Sequence, residues 1–207
     1  MTFVDTAFLW SARNKILVIR IFYIFWIFLI VICGVGAYIS FANPSDMRPW
    51  YNLGVGSGRT ALVFFIILLL PGMLKRYGIR HKLLAIILFF RRHLGISMYL
   101  FVLCHVSFVA LIPRISSGNL FVPLVLFELM GLLAVVTLFF LFITSNDLSV
   151  RTLGIWWYRL HKLIYPVIGI IFLHTALQRW SIWSVAIGVI AVLQIGSYVY
   201  SKFLLNR

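Results

Sequence analysis

Six stretches of this chain are long and apolar enough to cross a lipid bilayer, and that repetition constrains the fold more than any other feature. A spanning helix needs roughly 20 apolar residues. The stretches run at about 21–42, 59–74, 94–113, 120–144, 154–177 and 181–204. They predict an all-α integral membrane protein, a six-helix bundle formed as one unit over residues 1–207. With 63% hydrophobic and 11% charged residues and a mean hydropathy of +1.08, a water-soluble core with a solvated surface is excluded. The second stretch is short, and Leu83–Phe90 is expected either to extend the third helix or to lie separately in the interface. Arg13, Lys15 and Arg20 precede the first stretch in the manner of a signal peptide, but the apolar run is too long for one. It is expected to stay in the protein as a signal anchor.

A formal net charge of +14 would suit nucleic acid, yet the basic residues lie between apolar runs rather than on a soluble face. Topology accounts for them. If the N-terminus is inside, Arg48, Arg59, Arg114 and Arg179 are the four outer cations, and the other 14 of the 18 Lys and Arg, from Arg13 to Arg207, are inner. Cytoplasmic loops carry such an excess, so both termini are expected in the cytoplasm. The connections Asn43–Ser57, Arg114–Asn119 and Gln178–Trp180 are rich in turn residues. Trp50, Trp180 and Trp183 near the outer boundary, and Trp156 and Trp157 near the inner one, fit aromatic belts. Cys33 and Cys104, the only cysteines, lie inside apolar segments in no metal-binding spacing and are expected to be packing residues.

A polar ring in a bilayer is costly without a partner, so histidines inside spans point to function. His105 lies well inside the third span; His161 and His174 lie near the start and end of the fifth. The third and fifth spans run in the same direction, so their ends match in depth. At 1.5 Å rise per residue, His161 and His174 stand about 20 Å apart. Two haems stacked across the membrane would need ligands at two such levels, with His105 and His174 as the outer pair and His161 at the inner site. Bis-imidazole ligation closes both axial positions of the iron and favours electron transfer over oxygen binding. His93 lies about 120° around an ideal helix from His105, whereas Arg91 comes within about 40° of the same face. A π-bulge could bring His93 into register. His81 reads as a loop residue.

The run Arg91-Arg92-His93-Leu94-Gly95 followed by His105 resembles the R-R-x-L-G…H of the MsrQ family of haem-binding membrane proteins. Ile143-Thr144-Ser145, Arg151-Thr152-Leu153-Gly154, Trp157, Leu160-His161, Tyr165 and His174 are similar to that family's I-T-S…R-x-L-G…W…L-H…Y…H. Gly58, Ala61 and Leu62 resemble the start of its second helix, so the likeness covers about residues 58–180. The wider group is the ferric reductase-like transmembrane domain, where two histidines on the third helix and two on the fifth hold two haems. In that group the inner histidine of the third helix falls near Arg91, so this chain departs from the four-histidine pattern.

The resemblance implies one or two b-type haems, with His105 and His174 as outer ligands, His161 as an inner ligand, and Arg91 and His93 as further cofactor-binding candidates. It also implies an electron-transfer subunit of an oxidoreductase system in the bacterial inner membrane. A cytoplasmic flavin reductase carrying FMN, or a quinol, would be the donor, and a periplasmic molybdopterin methionine sulfoxide reductase the acceptor. No flavin- or nicotinamide-binding segment is apparent, so the donor is expected to be separate. Haem propionates need cations, and Arg91, Arg92, Arg159 and Lys162 inside and Arg114 and Arg179 outside are candidates. Glu128 reads as the only acid within a span, a third of the way from the outer face; it is expected to be satisfied by a neighbouring hydroxyl, with proton handling as the alternative. Two other functions remain open: a stand-alone reductase of ferric chelates or dioxygen, and a haem-free scaffold or transporter.

Overall fold

The structure is a computed structural model and describes residues 3–119 and 121–203. Arg207, and residues 120 and 204 at the edges of the expected fourth and sixth spans, lie outside the described residues. Six helices are long and apolar enough to cross a membrane: Lys15–Ala42, Arg48–Arg76, Arg91–Ser116, Leu126–Ile143, Ile155–Gln178 and Ile182–Phe203. These are the first to sixth spans. An even number of crossings puts the two ends of the chain on one face, called here the terminal face; the other is the opposite face.

Spans two, three, four, five and six form a closed ring in that order, each packed on the next and the sixth on the second. The core within the ring is apolar and drawn from all five: Leu62, Phe65 and Leu69, then Met98 and Tyr99, Leu138, Val167 and Ile168, and Ile187. The first span lies outside the ring and packs on the third. There the Trp26 indole N–H donates to the Ser97 hydroxyl at 2.8 Å. Such an interhelical bond in lipid contributes about 0.6–2 kcal/mol.

The second span starts at Arg48, so the expected connection 43–57 shrinks to 43–47. Gly54 and Gly56 lie in the stretch expected as a connection, but in a membrane helix small residues let neighbours approach closely. A Cβ on Gly54 would stand 2.8 Å from that of Phe108 on the third span. Conversely, the fourth span starts only at Leu126, after Pro123. Leu83–Phe90 resolves into a separate helix, Lys82–Phe89, broken from the third span at Phe90. His81 is its cap, accepting from the Leu83 backbone N–H at 3.2 Å. A helix over Phe3–Arg13 packs on this short helix, with Asp5 and Lys82 ion-paired; nothing in the apolar pattern foretold it.

Two spans are irregular where the histidines lie. Residues 107–111 form a π-helical turn that starts two residues after His105. Pro113 follows it, and a proline ring displaces the carbonyl four residues earlier, here that of Val109. The fifth span breaks at Lys162–Leu163, between Ile155–His161 and Ile164–Gln178. Pro166 stands four residues after Lys162 and has the same effect. Gly154, with φ +50°, turns the connector Asp147–Leu153 into this span.

Candidate functional site

His105 and His174 meet inside the ring. Their ring centres are 6.4 Å apart and their planes 78° from parallel. Each is fixed by a neighbouring helix: His105 Nδ1–H donates to the Gly54 carbonyl at 3.0 Å, and His174 Nδ1–H to the Phe127 carbonyl at 2.8 Å. With a carbonyl as partner, Nδ1 must carry the proton, so Nε2 is the nitrogen with a free lone pair. Glycines make room for both rings. A Cβ on Gly58 would stand 2.6 Å from His105 Nδ1, and one on Gly131 2.8 Å from His174 Nδ1.

This pair fits axial ligation of an iron porphyrin. An imidazole nitrogen sits about 2 Å from a bound metal, with its ring centre about 1.1 Å behind it, so two axial rings are centred about 6 Å apart. Among the described residues no three or more His, Cys, Asp or Glu converge as a metal site. A haem would need only two ligands from the protein, and His105 and His174 would be those two. The carbonyl bonds to Nδ1 are the outer contacts that fix tautomer and orientation at such sites.

The other histidines are placed differently. His161 stacks on Trp157 at 4.0 Å, and its Nε2 lies 3.1 Å from the Thr144 hydroxyl. That hydroxyl donates to the Phe140 carbonyl at 2.6 Å, so it accepts from His161, and Trp157 Nε1–H donates to the Thr144 carbonyl at 2.8 Å. His93 turns to the first span. Its ring stacks on Phe22 at 5.4 Å and Trp26 at 5.9 Å, with Tyr23 and Phe90 edge-on. Its Nδ1 is buried with no hydrogen-bond partner. The π turn lies beyond His105, so helix Arg91–Val106 runs unbroken between the two. The structure therefore brings together His105 and His174, and gathers neither His161 nor His93 with a second imidazole among the described residues.

Glu128 departs from expectation in depth and in partner. It occupies the first turn of the fourth span, where it accepts from the Val125 backbone N–H at 3.1 Å. Both its oxygens accept from Arg114, at 2.9 and 2.8 Å. The late start of the helix moves it to the opposite-face end, and an ion pair replaces the expected hydroxyl. A cavity of about 310 Å³ beside the pair is lined by Val109, Ala110, Pro113, Ser117, Asn119 and Val122. Arg114 is thereby neutralised, Arg92 pairs with Asp147, and Arg159 lies over the Trp156 ring at 4.8 Å.

Sequence reasoning passed over Arg59, counted only as a topology cation. It follows Gly58, at the level of His105, and lies 5.9 Å over the Trp183 ring. The second span begins 11 residues earlier, and that start, hidden by the glycines, was the signal needed. The carbonyls of Gly54 and Phe127 were invisible in principle, since a backbone acceptor leaves no mark on residue type.

No solved structure matches the chain. A curated relative, the protein-methionine-sulfoxide reductase heme-binding subunit MsrQ of Agrobacterium fabrum (strain C58), is 34% identical over 99 residues, 45% of this chain and 45% of that protein. The match thus spans less than half the length of the relative. The model of the ferric reductase like transmembrane component matches residues 55–172, a range that holds His105, both glycines that seat the imidazoles and the break in the fifth span, and ends two residues before His174. By that match the chain belongs to the ferric reductase-like transmembrane family, and it is a multi-pass membrane protein.

Proposed function

We propose that the chain is a haem-carrying electron conduit, with a b-type haem held between Nε2 of His105 and Nε2 of His174. The pairing of these two imidazoles at 6.4 Å, each anchored through Nδ1, carries the reading. The haem would supply one-electron redox chemistry. The protein's part is to fix both rings, exclude water and surround the site with the apolar side chains of the ring. Arg59, an exposed cation at that depth with no carboxylate partner among the described residues, suits a propionate.

The excess of Lys and Arg on the terminal face supports a cytoplasmic placement of both termini, hence the inner membrane of a bacterium. Electrons then enter from a cytoplasmic flavin reductase or a quinol and leave on the opposite, periplasmic face. The name of the Agrobacterium relative supports a methionine sulfoxide reductase as acceptor; its molybdopterin cofactor is part of the same proposal. Sulfoxide repair needs two electrons, so the acceptor must store the first.

The test is a reduced-minus-oxidised absorbance spectrum of the purified protein with haem counted per chain. One bis-imidazole haem is expected, lost in His105→Ala and in His174→Ala and retained in His93→Ala. A second haem that disappears in His161→Ala would make His161 an inner ligand in exchange for its Thr144 bond. A colourless wild-type protein would overturn the reading. Reduction of ferric chelates or dioxygen without a periplasmic protein would favour a stand-alone reductase.

A further inference from the structure

The apolar run expected as the fourth span becomes helical only at Leu126. The residues ahead of it, Phe121-Val122-Pro123-Leu124-Val125, form an irregular loop without a polar side chain. Phe121 is 94% exposed, the most exposed large apolar side chain among the described residues, and Leu124 and Val125 are exposed beside it. A patch of this kind marks a contact with lipid or with protein. Three observations favour lipid. The loop runs directly into the side of the fourth span formed by Leu126, Leu129, Leu133 and Val136, all exposed at helical spacing. Its polar neighbours, Ser117, Asn119, Arg114 and Glu128, instead line a cavity together with Val122. Its backbone groups find partners within the protein: Arg114 Nη1–H donates to the Val122 carbonyl at 3.0 Å, the Val122 N–H donates to the Asn119 carbonyl at 3.2 Å, and Glu128 accepts from the Val125 N–H at 3.1 Å. Pro123 has no N–H to satisfy. Water would meet such groups freely, whereas irregular backbone at membrane depth needs partners in the protein.

We propose that residues 121–125 are a lipid-inserted loop, whose apolar side chains enter the acyl-chain boundary of the leaflet at the opposite face while Arg114 and Glu128 hold its backbone from the protein side. Apolar faces of interfacial segments lie about 5–10 Å into that boundary, and Phe121 is the side chain that reaches it. The ion pair is the frame from which the loop hangs, and mutual neutralisation is what two charges at that depth require. A soluble protein that docks and leaves would meet a surface about as polar as the rest of the molecule. Here no charged residue stands between Arg114 and Glu128. The loop's placement follows from the fold and stands whether or not haem binds.

The full-length chain is labelled with a nitroxide at Phe121→Cys and, separately, at Asn119→Cys, and placed in vesicles of phosphatidylethanolamine and phosphatidylglycerol. Electron paramagnetic resonance then reads collisions of each label with dissolved oxygen and with an aqueous nickel chelate. Wild type carried through the same labelling supplies the contribution of Cys33 and Cys104. Phe121 is exposed, so its exchange removes no packing. At 121 oxygen collisions are expected to exceed those of the chelate about fivefold, because oxygen concentrates in hydrocarbon and the chelate stays in water; at 119 the chelate should lead. Arg114→Gln, which frees the Val122 carbonyl and the Glu128 carboxylate, should bring the ratio at 121 toward that at 119. Chelate collisions in excess at 121 would overturn the proposal. So would an immobilised signal reached by neither reagent, the mark of a partner protein or a second copy covering the loop.

Discussion

Gly58 and Gly131 occupy the places where the second and fourth spans come closest to the two imidazoles, and a methyl group at either would overlap a ring nitrogen. Neither ring can retreat, because Nδ1 is held by a backbone carbonyl from the same neighbouring helix that carries the glycine. Gly58→Ala and Gly131→Ala are therefore expected to cost about 1–3 kcal/mol by overpacking and to lower haem content when expressed beside the wild type. Gly56→Ala is the control: a Cβ there meets nothing within 4 Å, and helix propensity makes it neutral or stabilising by up to about 1 kcal/mol. Haem per chain and thermal unfolding of the three variants check this. Loss of haem in Gly56→Ala equal to that in Gly58→Ala would show that steric seating is not the cause.

At the scale of elements, the irregularities gather at the histidine-bearing spans. The π turn at 107–111 and the break at 162–163 each answer to a proline four residues after a displaced carbonyl, Pro113 and Pro166. Both prolines were visible in the sequence, but whether proline kinks, widens or breaks a membrane helix depends on neighbours that satisfy the freed carbonyl. On the terminal face, Arg92 at the start of the third span pairs with Asp147 on the connector before the fifth, and the guanidinium holds the Asp147 carboxyl below its ordinary range. For a depressed carboxylate the stabilisation is complete above the unfolded value of about 3.9 and is lost as pH falls through the lower folded value. Asp147→Asn is thus expected to unfold at a slightly lower temperature than the wild type at pH 7, and at the same temperature once the carboxylate is protonated. Melting curves across that range test it; a difference that persists in acid would mean the pair is not its source.

For the whole molecule, the succession of six spans fixes which loops share a face, and the proposal that the terminal face is cytoplasmic rests on its excess of basic residues. The turn between the second span and the helix at 82–89 carries Arg80 on the terminal face. Trypsin added to intact spheroplasts is expected to leave that turn uncut, and trypsin added to inverted membrane vesicles to cleave it. Cleavage in spheroplasts would reverse the assigned orientation.

The number of spans, the fold class and the depth of His105 and His174 were legible because a bilayer imposes a length and a polarity on any helix that crosses it. The π-bulge that would have brought His93 into register with His105 is absent between them, where helix Arg91–Val106 runs unbroken. Packing between helices was not legible. Gly54, read as part of a connection, proved to be a close contact of the second span with the third, Glu128 moved to a helix end and found Arg114, and His93 turned to aromatic side chains of the first span. Periodicity sets the direction a side chain takes from its own helix, while the neighbour that receives it depends on how spans distant in sequence come together, and only the tertiary structure decides that.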